Sequence, residues 1–317
     1  MQPDRPEQAD PAVLTVVAPA KLNLSLAVLA RRSDGYHEIE SLMVPVSLAD
    51  TLHVRRRPQG GVGLRVSFGG ELASGPAAVL ARDVPADDAN LVVRAAQALA
   101  REAAIPGGLE VELVKRIPSG AGLGGGSSDA AAVLTAAARL WGLDWPVERL
   151  AALAATIGSD VPWFFARSAA IASGRGERIE PVAGLPPLFA VIACPATGLS
   201  TAAVYGRCVP DASRRGEAAR LAAALATGGL AAARPLLHNA LEPAARELSP
   251  AIDALLDALE RAGGAGARMT GSGSACFAVL DTLAAAEAVA QRLGHGAGSG
   301  ERPCAAIFVT TLATPAA

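Results

Sequence analysis

Residues 13–29 alternate between apolar and small or polar side chains, with Pro19 as an interruption, which predicts two strand segments joined at a bend. Ser33-Asp34-Gly35 marks a turn, and residues 39–46, 52–56 and 62–68 read as further strands. Residues 90–104 have helical spacing, with Leu91, Ala95 and Leu99 on one face and Asn90 placed to cap. Leu109, Val111 and Leu113 alternate with Glu110 and Glu112, a half-buried strand running toward Pro118. An Ala-rich helix is expected over residues 128–140, stopping at Gly142, and a second over 146–157, ending at Gly158. Ser159-Asp160-Val161-Pro162 then opens a new segment.

Beyond about residue 168 longer helices alternate with single strands. The pattern predicts a strand at 188–193, a helix from Thr201, and helices at 217–226 and 250–261. The end reads strand, turn, strand over 268–280, helix over 283–293 and strand over 305–310. Strands and helices mix without a strict βαβ rhythm, so the expected class is α+β. The change of pattern places a domain boundary between residues 165 and 185.

The chain has 317 residues and is 51% hydrophobic, enough for about two cores. A mean hydropathy of +0.33 raises the question of a membrane, but the longest uncharged stretch, residues 181–206, is broken by Pro186, Pro187 and Pro195. No membrane partner is expected. The start is polar and carries Asp4, Glu7 and Asp10, unlike a signal peptide, and residues 1–11 are expected to form a disordered tail. Cys194, Cys208, Cys276 and Cys304 show no metal-ligand spacing and read as reduced thiols, which points to the cytoplasm. With a net charge of −2 and no long basic run beyond Arg55-Arg56-Arg57, no nucleic-acid partner is expected. Lysine occurs only at Lys21 and Lys115, and tyrosine only at Tyr36 and Tyr205. A chain this biased toward arginine keeps lysine where a compact ammonium is required.

Between the strand at 109–113 and the Ala-rich helix lies Pro118-Ser119-Gly120-Ala121-Gly122-Leu123-Gly124-Gly125-Gly126-Ser127-Ser128, with five glycines in seven residues. Glycines let backbone amides approach an anion, and a helix start adds unpaired donors and a positive dipole end, so the segment is built to bind phosphate. A Walker A loop is excluded, because no lysine follows Lys115. Gly120, Gly122 and Gly125 satisfy GxGxxG, which keeps an NAD(P)-dependent oxidoreductase open as an alternative. That fingerprint needs a second strand ending in an acidic residue, and Asp144 falls at the right distance but in a turn toward another helix.

Three separated segments together resemble the GHMP kinase superfamily, and within it the 4-diphosphocytidyl-2-C-methyl-D-erythritol kinases. They are Ala18-Pro-Ala-Lys-Leu-Asn-Leu24 with Asp34-Gly-Tyr-His37; residues 118–128 running into Asp129-Ala-Ala, with Ile157-Gly-Ser-Asp-Val-Pro162; and Met269-Thr-Gly-Ser-Gly-Ser-Ala275. The resemblance implies a two-domain fold, a ribosomal-S5-like domain over residues 12–170 and a ferredoxin-like domain over 171–317. It implies ATP and Mg2+ as cofactors, with the protein ligands of the metal unspecified. The acceptor would be a small-molecule alcohol linked to cytidine diphosphate, with the protein a monomer or weak homodimer. Mevalonate- or homoserine-type kinases, and a catalytically silent nucleotide sensor, are the neighbouring alternatives.

By the same resemblance Asp160 matches the catalytic base and Lys21 the ammonium beside it, although an Asp before Val-Pro also serves as a helix N-cap. Asn23 lies two residues from Lys21, on the same face of a strand. Tyr36 and His37 match positions that hold the cytidine end, and Tyr205 an aromatic that stacks on cytosine. Met43 departs from the family, which tends to carry an aromatic there. Lys115 is expected at the adenosine or its phosphates, or else at a plain strand end. Ser127 and Ser128 are expected to donate to phosphate or help hold Mg2+, or else to cap the helix. Thr270, Gly271, Ser272, Gly273 and Ser274 would bring a second glycine turn to the substrate diphosphate. Asn239 resembles a family motif with a structural role.

Overall fold

The computed structural model describes residues 13–81, 84–296 and 303–312; the expected tail at residues 1–11 lies outside them. The chain opens with strands β1 (Val13–Asn23), β2 (Ser25–Arg31) and β3 (His37–Arg57). Pro19 does not end β1. It sits at a bulge, where the register against β3 shifts between Pro19 and Lys21, and the break between strands falls at Leu24. The runs expected at 39–46 and 52–56 are one strand of 21 residues. Tertiary pairing carries β3 through the polar stretch between them: its neighbours include β1, β2 and the later strands β5 (Gly108–Lys115), β6 (Ala170–Gly174) and β12 (Ala306–Leu312).

Strand β4 (Val62–Phe68) runs parallel to β5, and the crossover between them contains α1 (Leu91–Glu102). Asn90 caps α1 as the spacing predicts, its side chain accepting from the Val92 amide at 2.9 Å. The glycine loop follows β5 and leads into α2 (Gly125–Trp141), then α3 (Val147–Ile157). Small alanines let α2 pack closely on α1, with Ala95, Ala96, Ala130 and Ala137 fully buried in one cluster with Leu52, Leu134 and Trp163.

The sequence gives no clear signal for the hairpin of β6 and β7 (Arg178–Pro181), which pairs with β3 at residues 39–43. On that pairing we propose that the first domain runs through Pro181, beyond the expected limit at 170, and that the second begins at β8 (Leu188–Cys194). The second part contains α4 (Thr201–Arg207), α5 (Glu217–Ala233), the short β9 (His238–Asn239), α6 (Glu242–Leu248) and α7 (Pro250–Arg261). It closes with β10 (Arg268–Met269), β11 (Cys276–Leu280), α8 (Leu283–Gly294) and β12. Strands order as β10-β11-β8-β12, every neighbour antiparallel, which is the ferredoxin-like arrangement. One apolar cluster joins both parts, with Leu22, Leu42 and Leu123 from the first packed with Ile192 and Phe277 from the second. The cleft between them therefore has firm walls. Among the described residues no helix is long and apolar enough to cross a membrane.

Candidate active site

The loop after β5 is tighter than its sequence suggests. Helix α2 begins at Gly125, three residues before the expected start, and Gly120, Gly122 and Gly124 alone of the loop glycines take positive φ. The reason is close approach: a Cβ on Gly125 would stand 3.0 Å from Ile117 Cγ2, and one on Gly122 only 2.2 Å from the Thr270 carbonyl. No side chain caps this helix start. Its first amides, at residues 125–127, are thus left for an anion.

The second glycine turn, residues 270–274, is wedged against the first. The Ala275 amide donates to the Ala121 carbonyl at 3.1 Å, and the Thr270 hydroxyl accepts from the Asn23 amide at 3.1 Å. Asn239, as expected, is structural: its Nδ2 donates to the Met269 and Gly271 carbonyls at 2.7 and 2.9 Å and so fixes the turn.

Above the two turns opens a cavity of about 880 Å3. Lys21 and Asn23 reach it from β1, where the bulge and two-residue spacing aim both side chains the same way. Lys21 Nζ donates to Asn23 Oδ1 at 2.6 Å and to the Gly122 carbonyl at 2.7 Å, tying β1 to the loop. Burial pulls its pKa below the ordinary lysine range, and the nearby charge of Asp160 draws it part of the way back. Asp160 lines the same cavity, and no hydrogen bond or ion pair holds its carboxylate among the described residues. The N-cap alternative falls away, since the short helical turn that follows has no side-chain cap.

At the other end the His37 and Tyr205 rings lie 5.1 Å apart, tilted by 36°. Burial and the Arg31 charge lower the His37 pKa, which favours the neutral ring. Burial, with the charge of Asp160 behind it, pushes the Tyr205 phenol well up, so it stays protonated. Tyr36 is half exposed at the rim beneath the Arg175 guanidinium, 4.8 Å from the ring centre. Met43, 3% exposed, lines the same cavity.

The regions 90–168 and 221–300 match the models of the GHMP kinase N-terminal and C-terminal domains. A 4-diphosphocytidyl-2-C-methyl-D-erythritol kinase of Rhodopirellula baltica is 46% identical over 297 residues, covering 87% of this chain and 89% of the relative. One of Shouchella clausii is 40% identical, covering 84% and 86%. The chain belongs to the GHMP kinase family. A crystal structure of 4-(cytidine 5'-diphospho)-2C-methyl-D-erythritol kinase superposes with a TM-score of 0.73 at 37% identity, covering 94% of this chain and 98% of that one. This GHMP kinase is a small-molecule phosphotransferase, with the two-domain fold of its family.

Membership settles the dinucleotide alternative, and the topology agrees. Helix α2 of this kinase is followed by α3 and not by a strand, so Asp144 stands at no strand end.

Of the residues singled out in the sequence, the cavity of the kinase gathers Lys21, Asn23, Tyr36, His37, Gly120, Gly122, Gly124, Asp160, Tyr205, Gly271 and Ser272. Thr270, Gly273 and Ser274 do not line it; Thr270 is fully buried and serves as the joint between β1 and the turn. Ala121 and Leu123 are buried loop anchors. Ser128 is 1% exposed and lines a second cavity behind the loop instead. Lys115 is a correction: its ammonium is sealed against Asp50 and Asp129 and is not open to a nucleotide.

Arg31, Arg175 and Thr201 line the cavity without having been singled out. Arg175 sits in the turn between β6 and β7, whose next residue, Gly176, has φ +118 and would place a Cβ 3.4 Å from Asp160 Oδ1. The glycine pair around Arg175 was the available signal for a tight turn at the site.

Proposed function

We propose that this kinase transfers the γ-phosphate of ATP to the 2-hydroxyl of 4-diphosphocytidyl-2-C-methyl-D-erythritol, giving ADP and the 2-phosphate. The observation that carries this reading is the unpartnered carboxylate of Asp160 in one cavity with Lys21, the glycine loop at its floor and the His37–Tyr205 ring pair at its far end.

Phosphoryl transfer needs an aligned hydroxyl, neutralised phosphate charge and a proton acceptor. In this reading Asp160 accepts the proton of the 2-hydroxyl, and Lys21 holds the attacking oxygen and the γ-phosphate together. The amides at residues 125–127 grip the nucleotide phosphates. The Asp160 carboxylate, without a hydrogen-bond or ion-pair partner among the described residues, suits a Mg2+ carried mainly on the phosphates and water beside it. When bound, that ion would neutralise phosphate charge. Gly271, Ser272 and Arg175 line the same cavity and are assigned to the substrate diphosphate. The buried thiols of Cys194, Cys208 and Cys276 and the small-molecule chemistry fit a cytoplasmic enzyme.

Purified protein given Mg-ATP should release ADP with the cytidylated substrate and not with mevalonate or homoserine. ADP release with either of those acceptors alone would overturn the substrate assignment and leave the kinase standing. Base stacking contributes about 1–3 kcal/mol, so Tyr205→Ala is expected to raise the KM of the cytidylated substrate by about 5- to 150-fold while the KM of ATP stays within about twofold. Equal shifts in both KM values would place Tyr205 outside the cytidine pocket.

A further inference from the structure

A cluster of charge lies sealed beneath the glycine loop, where β5 ends and α2 begins. Lys115 on β5 is 3% exposed, Asp50 on β3 0% and Asp129 in α2 2%. Lys115 Nζ donates to Asp129 Oδ2 at 2.8 Å and to Asp50 Oδ2. Asp50 Oδ1 accepts from the backbone amides of Arg116 and Ile117, the second at 2.9 Å. The cluster thus clamps β3, the end of β5 and the first turns of α2 to one another. It also reaches the loop itself: a Cβ on Gly125 would stand 3.2 Å from Lys115 Nζ, so the ammonium packs directly under the first residue of the helix.

One ammonium faces two carboxylates here, and Asp129 Oδ1 has no hydrogen-bond partner among the described residues. Burial pushes Asp129 up, Lys115 pulls it back, Asp50 adds to the rise, and the carboxyl titrates at about 7. Burial opposes the Lys115 charge too, but its two carboxylates outweigh that and hold the ammonium above its ordinary range. Strand β5 supplies Lys115 and β3 supplies Asp50. Helices α1 and α3, strand β1 and the turn at residues 162–165, which also pack on α2, bring no further charge to bear on Asp129 among the described residues.

We infer that Lys115, Asp129 and Asp50 are positioning residues for the nucleotide: they set the first turn of α2, in place and in charge, so that its amides can grip phosphate. The inference rests on the loop being the ATP phosphate cradle. A bare carboxylate in the fifth residue of a helix would oppose an anion held at that helix's N-terminus. Lys115 offsets this charge from below, acting through the seat and never touching the nucleotide. Buried ion groups of this kind are poor sources of stability, and a role in fixing one geometry accounts better for their presence.

The sign of the pH effect follows. Below about pH 7 Asp129 is protonated and the cluster is neutral; above it the cluster carries a net negative charge under an anionic ligand, so nucleotide binding weakens as pH rises.

The test is calorimetric binding of Mg2+ with a non-hydrolysable ATP analogue to the full chain at pH 6.0 and 8.5. Wild type, Lys115→Met, Asp129→Asn and the double variant are compared, with circular dichroism to check folding. Lys115→Met is expected to weaken binding at least tenfold, and no less at pH 6.0 than at pH 8.5, because without the ammonium Asp129 keeps its proton to higher pH while Asp50 is left unbalanced; the double variant is expected to recover part of the loss at pH 8.5. Asp129→Asn should bind with little change between the two pH values, where wild type weakens severalfold. A double variant as weak as Lys115→Met would mean that the ammonium touches the nucleotide directly, and overturns the inference. Tight binding by Lys115→Met overturns it as well. Should Lys115→Met not fold, an Asp129→Asn pH slope equal to that of wild type does the same. Wild type failing to bind the analogue at all would instead sink the cradle reading on which the inference stands.

Discussion

Replacing Asp160 by Asn is expected to lower kcat by about 10²–10⁴-fold, the range for losing a general base, while ATP binding changes by less than about threefold. The substitution keeps the shape of the side chain and removes its capacity to take a proton, together with the charge that supports the Lys21 ammonium. Nothing else in the fold depends on that carboxylate, because it caps no helix and meets no ion-pair partner among the described residues. Stability should therefore hold, with a melting temperature within a few degrees of wild type. Single-turnover measurement of phosphate transfer, beside calorimetric ATP binding, separates the two effects. Near-normal turnover by the variant would require a different proton acceptor and would strip Asp160 of its assigned role.

Gly122→Ala is expected to be as damaging by another route. Gly122 has φ +77, where a side chain costs about 1–2 kcal/mol, and its added Cβ would fall 2.2 Å from the Thr270 carbonyl and 3.1 Å from the Gly273 amide. Both neighbours are backbone, so neither can swing aside. The two glycine turns must part, and with them the Lys21 bond to the Gly122 carbonyl and the Thr270 joint to β1. Turnover should fall more than about a hundredfold, with destabilisation of about 3 kcal/mol or more, the scale of buried overpacking added to backbone strain. Gly120→Ala is the control. Its φ of +66 carries the same backbone cost, but nothing of the protein lies within 4 Å of the added Cβ, so its loss of stability should stop at about 1–2 kcal/mol. Equal behaviour of the two variants in thermal melts and kinetics would show that the turns do not interlock as described.

These two sites differ in how far they could be read from the chain. Asp160 stands in a recognisable run, and the structure places its carboxylate in the cavity and not at a helix cap, which fits the proposed base. Gly122 reads merely as one glycine of five, since what makes it irreplaceable is a carbonyl almost 150 residues away in sequence. Lys115 shows the same limit in reverse. Its rarity and its place before the loop suggested a ligand contact, but Asp50 and Asp129, from two other elements, close around it. Arg175 was passed over because the hairpin that carries it lacks the apolar alternation of a strand and forms only by pairing with β3.

The sequence by itself determined the local structure and the kinase chemistry. Alternation marked β4 and β5, Asn90 and Gly142 bounded their helices, and the glycine-rich run marked the tight turn into α2, because each of these depends on residues near one another in the chain. Tertiary structure decided how those parts meet. It fused two short strands into β3, lodged one glycine turn against the other, and turned one of two lysines toward the cavity and the other beneath the loop. Such choices are set by long-range pairing and by which charges find partners once water is excluded, and no local pattern records them.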